Sequence, residues 1–411
     1  MPDRRRLIVA ALAVTEVTTW GVVFYGFGTM LPSMRDELGW SKVTFTGAFS
    51  LAIAISAVFG AAVGRYLDTH SPRGLMTIGS LVATGLVFGW SSVHTPAAFY
   101  VVWAGLGMAM ACTLYEPAFV VLTKWNSGEQ RRRALTAVTL LAGLASTIFV
   151  PLEERLIEHL GWRTALRVLA IGLGVITVPL HGFVLRSPQP HERPLPDVAA
   201  SATHQVATRS SAFWWLCGSV MFFGLSFSAL VAHQITLLIE RGWTPRAAAI
   251  AVAVIGLWQL GGRLAFAPLA RRLRSGALIP AIYLTQVIAL ALAALSTRLG
   301  PTLVYIAFTG IARGMTTLVR ATLVAELWGA QHYGSIAGLV ALAGTGSTAI
   351  GPLLGGVLWS PERGYQLMLW VLFGLALVAT VMAARIQPPR SRSNGAPVPA
   401  RLADESDAPV T

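Results

Sequence analysis

Ionised side chains are scarce in this chain of 411 residues, which is 55% hydrophobic and 12% Asp, Glu, Lys and Arg. Several of those charges nevertheless stand inside long apolar runs. A charge near the centre of a bilayer costs at least ~2.5–3.5 kcal/mol, so each such residue must face other protein or a water-filled space, and each is a candidate for chemistry. Arg313 and Arg320 share one run. Seven helical residues turn through ~700° and rise ~10.5 Å, so the two guanidinium groups project from nearly one face. Their planar forks suit carboxylates, which makes both candidates for binding an anionic substrate, with a structural ion pair or a snorkelling contact as the alternative for each. Glu16 and Glu116 are read as the intramembrane acids. A carboxyl that moves between a dry site and the vicinity of an arginine changes its proton affinity, and both are proposed to couple protons to conformation; a fixed salt bridge between Glu116 and Arg320 is the other reading. His233 and Gln234 form a polar pair in a later run and could touch substrate or serve as hydrogen-bonded packing.

The elements that carry these residues are membrane helices. Soluble domains hold roughly 25% charged residues, and a chain with half that share cannot cover a water-facing surface. A bilayer core needs about 20 apolar residues per helix, and twelve runs satisfy this: 7–31, 43–66, 74–92, 97–123, 134–156, 164–185, 213–239, 247–270, 276–297, 301–327, 333–358 and 364–385. Breaks such as Ser71-Pro72-Arg73-Gly74 and Ser360-Pro361-Glu362-Arg363 separate them. The first run follows Arg4-Arg5-Arg6 and is too long for a signal peptide's apolar core, so it is read as a retained helix. The net charge of +13 lies in the short connections and reports topology rather than nucleic-acid binding. With the N-terminus in the cytoplasm, cytoplasmic segments hold roughly twice as many cations as external ones, so both termini are expected inside. Cys112 and Cys217 lie inside apolar runs and make neither a disulfide framework nor a metal site. No cofactor is implied, and without a metal-binding His pair, a nucleophile–base pair or a phosphate-binding glycine loop the chain is not expected to be an enzyme or an ATP-driven pump.

The run pattern repeats. Glu37-Leu38-Gly39-Trp40-Ser41 follows the first run and Glu240-Arg241-Gly242-Trp243-Thr244 the seventh. Gly64-Arg65 recurs as Gly262-Arg263. Pro96, Tyr100, Gly105 and Met110 recur as Pro301, Tyr305, Gly310 and Met315. Leu141-Ala142-Gly143 to Pro151-Leu152 recurs as Leu342-Ala343-Gly344 to Pro352-Leu353. Near-constant spacings of about 200 residues imply two halves of the same orientation: an N-terminal six-helix bundle over 1–185, a Pro-rich cytoplasmic linker over 186–212, a C-terminal six-helix bundle over 213–387 and a disordered tail over 388–411.

Two parallel six-helix repeats resemble the major facilitator superfamily. Gly64-Arg65-Tyr66-Leu67-Asp68-Thr69-His70-Ser71-Pro72-Arg73 is similar to that family's loop after the second helix, which implies a gating role for Gly64, Asp68 and Arg73, with Asp68 at a helix end. Tyr25-Gly26-Phe27-Gly28 to Leu31-Pro32, the Glu37–Ser41 stretch, and Trp125 with Arg131-Arg132-Arg133-Ala134-Leu135-Thr136 resemble the monocarboxylate-porter-like branch. Helix eight of that branch carries Asp-x-x-x-Arg; here it reads Gln259-x-x-x-Arg263, with the Arg present and the acid replaced. The branch makes Arg263 a substrate arginine, whereas the internal repeat pairs it with Arg65 at a gate. Family architecture places helices one, four, seven and ten around a central cavity, which brings in Tyr25, Trp20 and Tyr115 as lining residues, with aromatic packing as their alternative. The resemblance implies an all-α membrane protein of the major facilitator fold. It would move a small, monocarboxylate-like organic anion by alternating access, coupled to protons, as a monomer in a bacterial cytoplasmic membrane. Export of drugs or sugars, with Glu16 and Glu116 as binding acids, is the competing expectation.

Overall fold

The computed structural model describes residues 2–189, 204–273 and 275–386. Eleven helices are long and apolar enough to cross a membrane. The fifth of these, Gly128–Val184, is broken at Gly161, whose backbone (φ 72°, ψ 158°) is non-helical. That left-handed φ suits glycine. Arg5 near the chain start binds Gln130 and Arg4 donates to the Val184 carbonyl, so both ends of this segment return to one side of the molecule. The chain reverses at Gly161, giving twelve passes. We number them α1 (Arg4–Leu38), α2 (Val43–Thr69), α3 (Pro72–Trp90), α4 (Pro96–Trp125), α5 and α6 (the two limbs of Gly128–Val184 on either side of Gly161), α7 (Ser211–Glu240), α8 (Arg246–Arg272), α9 (Gly276–Leu295), α10 (Leu299–Trp328), α11 (Tyr333–Leu358) and α12 (Gln366–Ala384). All twelve expected runs are helices, and α1 continues through Pro32 to Leu38. Of the expected linker, 190–203 lie outside the described residues and His204–Arg209 forms a short helix. The expected tail, 388–411, lies outside them as well.

Large apolar side chains point outward along the helices, among them Val101 (71% exposed), Leu353 (71%) and Val357 (83%). In water such a surface would be a liability; against hydrocarbon it is the matching solvent. The repeat is also structural. At the end of α1, Glu37 accepts hydrogen bonds from the Trp162 indole (2.6 Å) and the Arg163 guanidinium (2.8 Å). At the end of α7, Glu240 accepts one from the Trp359 indole (2.9 Å). Arg163 donates to the Ser91 and Val93 carbonyls just beyond the end of α3, and Gln366 caps the last turn of α9 through Ala294. Orphan carbonyls at helix C-termini need such donors.

The apolar core is divided in an informative way. One cluster is continuous through both halves on the face that carries the start of α1, with Ile8, Val63, Leu67, Trp125 and Leu135 packed into one body with Phe213, Phe266, Leu323, Trp328 and Tyr333. Towards the opposite face there are two separate clusters. One lies wholly within α1–α6 around Phe27, Trp90 and Trp103, and the other wholly within α7–α12 around Leu230, Tyr305 and Leu369. The halves are therefore welded at the N-terminal face and part towards the other.

Candidate functional site

Between the halves lies a cavity of about 700 Å³. Its wall is built from α1 (Trp20, Phe24), α2 (Phe49, Ser56, Gly60), α4 (Leu114, Tyr115, Glu116), α7 (Phe223, Phe227, Ser228), α10 (Arg313, Thr316, Thr317, Arg320) and α11 (Gly344, Thr345, Thr348). The expected set of α1, α4, α7 and α10 is thus joined by α2 and α11, which face each other across the cavity above their crossing.

Local sequence explains how each charge reaches this wall. α4 is interrupted at Leu114 (φ −88°, ψ −160°), between Pro96–Thr113 and Tyr115–Trp125. Pro117 is the cause: its ring would strike the carbonyl of residue 113 in a continuous helix, and it has no N–H to give. The restart places Glu116 in the first turn of a new helix, where the helix dipole favours an anion. α10 runs unbroken, and Gly310 and Gly314 let the backbone of α8 lie directly on it; a side chain on Gly310 would come within 2.7 Å of the Ile255 carbonyl oxygen, and one on Gly314 would collide with that of Gln259. Small residues four apart permit this approach in membranes, and the resulting seam fixes the rotation of α10 that turns Arg313 and Arg320 inward.

The two arginines have different partners. Arg320 Nη2 donates to Glu116 Oε1 at 2.8 Å, an ion pair between the halves that remains open to the cavity, with 22% and 30% of the side chains exposed. Arg313 lies over the ring of Phe227, with its guanidinium carbon 4.8 Å from the centroid, and makes no hydrogen bond or ion pair to any described residue. The cavity therefore holds one neutralised pair and one guanidinium without a counter-ion. Aromatic rings line the rest: Trp20 and Tyr115 meet at 5.1 Å, Trp20 and Phe24 at 4.8 Å, and Phe24 and Phe49 at 5.3 Å.

The other sequence-predicted residues lie off the cavity wall. Arg263 is buried (7% exposed) and donates to the Thr139 carbonyl of α5 at 2.6 Å, close over Gly143, so it joins the halves. Gln259 offers its backbone to the α10 glycines. His233 is held on both ring nitrogens, by Pro352 O (2.9 Å) and Tyr365 OH (3.2 Å), and Gln234 donates to the Tyr305 hydroxyl at 3.4 Å. Tyr25 packs on Phe24, 5.5 Å between centroids. Glu16 is fully buried behind the wall and accepts a hydrogen bond from the Trp20 indole at 3.0 Å. The reading of Glu16 and Glu116 as the intramembrane acids needs correction: Glu153 of α5 is a third, 0% exposed. It falls inside the expected span 134–156, beside Glu154 and near the end of the span.

At the N-terminal face the closure is polar as well as apolar. α11 begins after His332, which provides no side-chain cap. Asp68 supplies one from α2: Oδ1 accepts from Gly334 N at 2.7 Å and Oδ2 from Ser335 N at 2.9 Å. Gly64 and Gly334 bring the two backbones together, since a side chain on either would collide with the carbonyl oxygen of the other. Lys124 donates to the Leu67 and Asp68 carbonyls. Arg73 turns the other way, to the Leu185 carbonyl at 3.2 Å. Arg132 bridges Glu129 and Glu326, and Arg271 reaches Glu129 at 3.3 Å. The Glu116–Arg320 pair also joins the halves and can be removed by substitution. Glu116→Gln should lower the unfolding temperature of the purified protein by leaving Arg320 uncompensated, and Glu116→Gln with Arg320→Gln should recover part of the loss, as read by thermal-shift fluorescence.

Twelve helical passes with a solute-sized cavity between two like halves are the architecture of alternating-access membrane proteins. Residues 12–308 match the Major Facilitator Superfamily, and the chain belongs to that family of secondary transporters. Among its relatives, monocarboxylate transporter 13 of Bos taurus is 28% identical over 266 residues, covering 62% of this chain and 58% of the relative. The cephamycin export protein CmcT of Amycolatopsis lactamdurans is 29% identical over 258 residues, covering 61% and 47%. The matches thus span about half the length of these relatives. Among solved structures, the transporter FucP in its outward conformation superposes with a TM-score of 0.73 over 93% of this chain and 99% of its own, at 13% identity. The human organic anion transporter MFSD10 gives 0.69 over 93% and 100%, at 14% identity. These likenesses carry the fold.

Proposed function

We propose that this protein moves an organic monoanion, a carboxylate with an apolar body, across the membrane by alternating access coupled to protons. The observation that carries this reading is the unpaired Arg313 in an aromatic cavity whose other two charges neutralise each other. A carboxylate would take the guanidinium fork of Arg313, the hydroxyls of Thr316 and Thr317 lie one turn on along the same wall, and the rings of Trp20, Phe24 and Phe49 would receive the apolar body. A cavity of this volume suits a ligand of drug-like size better than a three-carbon acid. The relatives named monocarboxylate transporters support the anion.

In this cycle the N-terminal six-helix bundle rocks against the C-terminal one, the linker 186–212 joins them, and the protein acts as a monomer. Gly64 and Asp68 form the gate, Arg73 supports it by tying the start of α3 to the carbonyl that follows α6, Arg263 locks α8 to α5 in the present state, and Glu16 and Glu116 carry protons. The N-terminal face lies in the cytoplasm of a bacterial inner membrane, as the cation bias favours, and the cavity then faces outward. Uptake of radiolabelled carboxylates into proteoliposomes, with and without a pH gradient, tests the reading. The expected result is gradient-dependent accumulation that larger aromatic acids inhibit more strongly than lactate; absence of flux for every carboxylate would exclude the substrate class. Proton-driven export of drugs is the second reading, favoured by the aromatic wall and by relatives named for cephamycin export and multidrug resistance; sugars would use the same cavity hydroxyls. Dependence of flux on Glu116 but not on Arg313 would mark that alternative.

A further inference from the structure

The α1–α5 seam contains a carboxyl group that no part of the transport scheme above uses. Trp20–Tyr25 forms a π-helical turn in α1, closed by Gly26 N donating to Gly21 O, and π turns often sit at functional positions. The two glycines that bound this turn receive α5. A side chain on Gly21 would collide with the ring of Phe149, and one on Gly26 would come within 3.0 Å of Glu153 Oε1. Phe149 and Glu153 are four residues apart, so one face of α5 plugs both ends of the turn.

Glu153 is 0% exposed, and both of its carboxyl oxygens lack a hydrogen-bond partner. Thr29 of α1 stands beside it, and its hydroxyl donates to Tyr25 O at 3.3 Å. The neighbouring charge on its own helix is Glu154, of the same sign, and no basic side chain among the described residues pairs with it. An ionised carboxylate in such a place would be an uncompensated charge in a dry seam, which proteins avoid by neutralising the group. A leucine would fill the seam at no such cost, so packing gives no reason for an acid here.

We propose that Glu153 is a proton-binding site of the transport cycle, occupied by a proton while α1 and α5 are closed as seen here and emptied when they part. On opening, the carboxyl O–H bond breaks, the proton passes to water entering the seam, and the charge left on the carboxylate holds the seam open until a proton returns. The same turn of α1 carries Trp20 into the cavity wall, so the position of that ring follows the state of Glu153. This rests on the proton-coupled reading and adds to it a site outside the cavity.

Two measurements on the full chain decide it. The infrared spectrum of the purified protein at neutral pH, minus that of Glu153→Gln, should show the carbonyl stretch of a protonated carboxyl, shifted by ¹³C-glutamate labelling. In proteoliposomes with phenylacetate as probe, Glu153→Gln and Glu153→Leu should retain phenylacetate exchange within about twofold of wild type while losing accumulation driven by a pH gradient. Absence of the infrared band, or gradient-driven accumulation in both variants equal to wild type, overturns the proposal. A wild type that moves no phenylacetate counts against the substrate reading instead, and the infrared difference then decides on Glu153 alone.

Discussion

Arg313→Ala is expected to weaken carboxylate binding by about two orders of magnitude, ~3 kcal/mol, the range found when one member of a desolvated charge pair is removed. The effect should be this large because the Glu116–Arg320 pair is already satisfied at 2.8 Å and leaves Arg313 as the cation facing the cavity without a partner. Arg313→Lys keeps the charge but loses the planar fork and its contact with Phe227, so it should recover only part of the affinity, leaving about a tenfold deficit. Binding measured by displacement of a labelled carboxylate, alongside a thermal-shift control for folding, gives the comparison. Equal affinity in all three proteins would remove Arg313 from the site.

Gly334→Val should act on the conformational equilibrium rather than on the cavity. The backbones of α2 and α11 touch at Gly64 and Gly334, a contact that the proposed cycle breaks when the N-terminal face opens, and a side chain there collides with a carbonyl oxygen rather than with a flexible group. Overpacking costs of about 3 kcal/mol are typical of the upper range. Applied to one state and not to its alternative, that penalty shifts the equilibrium by about 150-fold towards the state with this face open. The variant should lose transport while still folding. A cysteine placed at Thr345, in a background lacking Cys112 and Cys217, should become reactive to a membrane-impermeant reagent from the N-terminal face. Gly64→Val should do the same. Wild-type transport in either variant would show that this crossing does not close the gate.

Hydropathy and repetition were enough to specify twelve spanning helices in two like halves. Both are additive along the chain: a run of apolar residues has only hydrocarbon as its low-energy solvent, and a repeated sequence folds into a repeated unit. Pro117 and the Gly310–Gly314 spacing were also local signals, and the break in α4 and the α8–α10 seam follow from sterics. Partnership across the bundle was not additive. Nothing near His332 announces that α11 is capped by Asp68, 266 residues away, nor that Trp162 and Trp359 occupy matching places on Glu37 and Glu240. Five polar residues read alike in the sequence, inside apolar runs, yet Arg313 faces the cavity unpaired, Arg320 is neutralised, Arg263 ties α8 to α5, and Gln234 and His233 are packed. Which of these fates a buried polar group meets depends on the few ångströms around it, and those are set by how helices distant in the chain rotate and cross. Glu153 is the sharpest case: Glu154, the next residue on α5, is exposed, and only the meeting of that helix with two glycines of α1 leaves Glu153 buried without a hydrogen-bond partner.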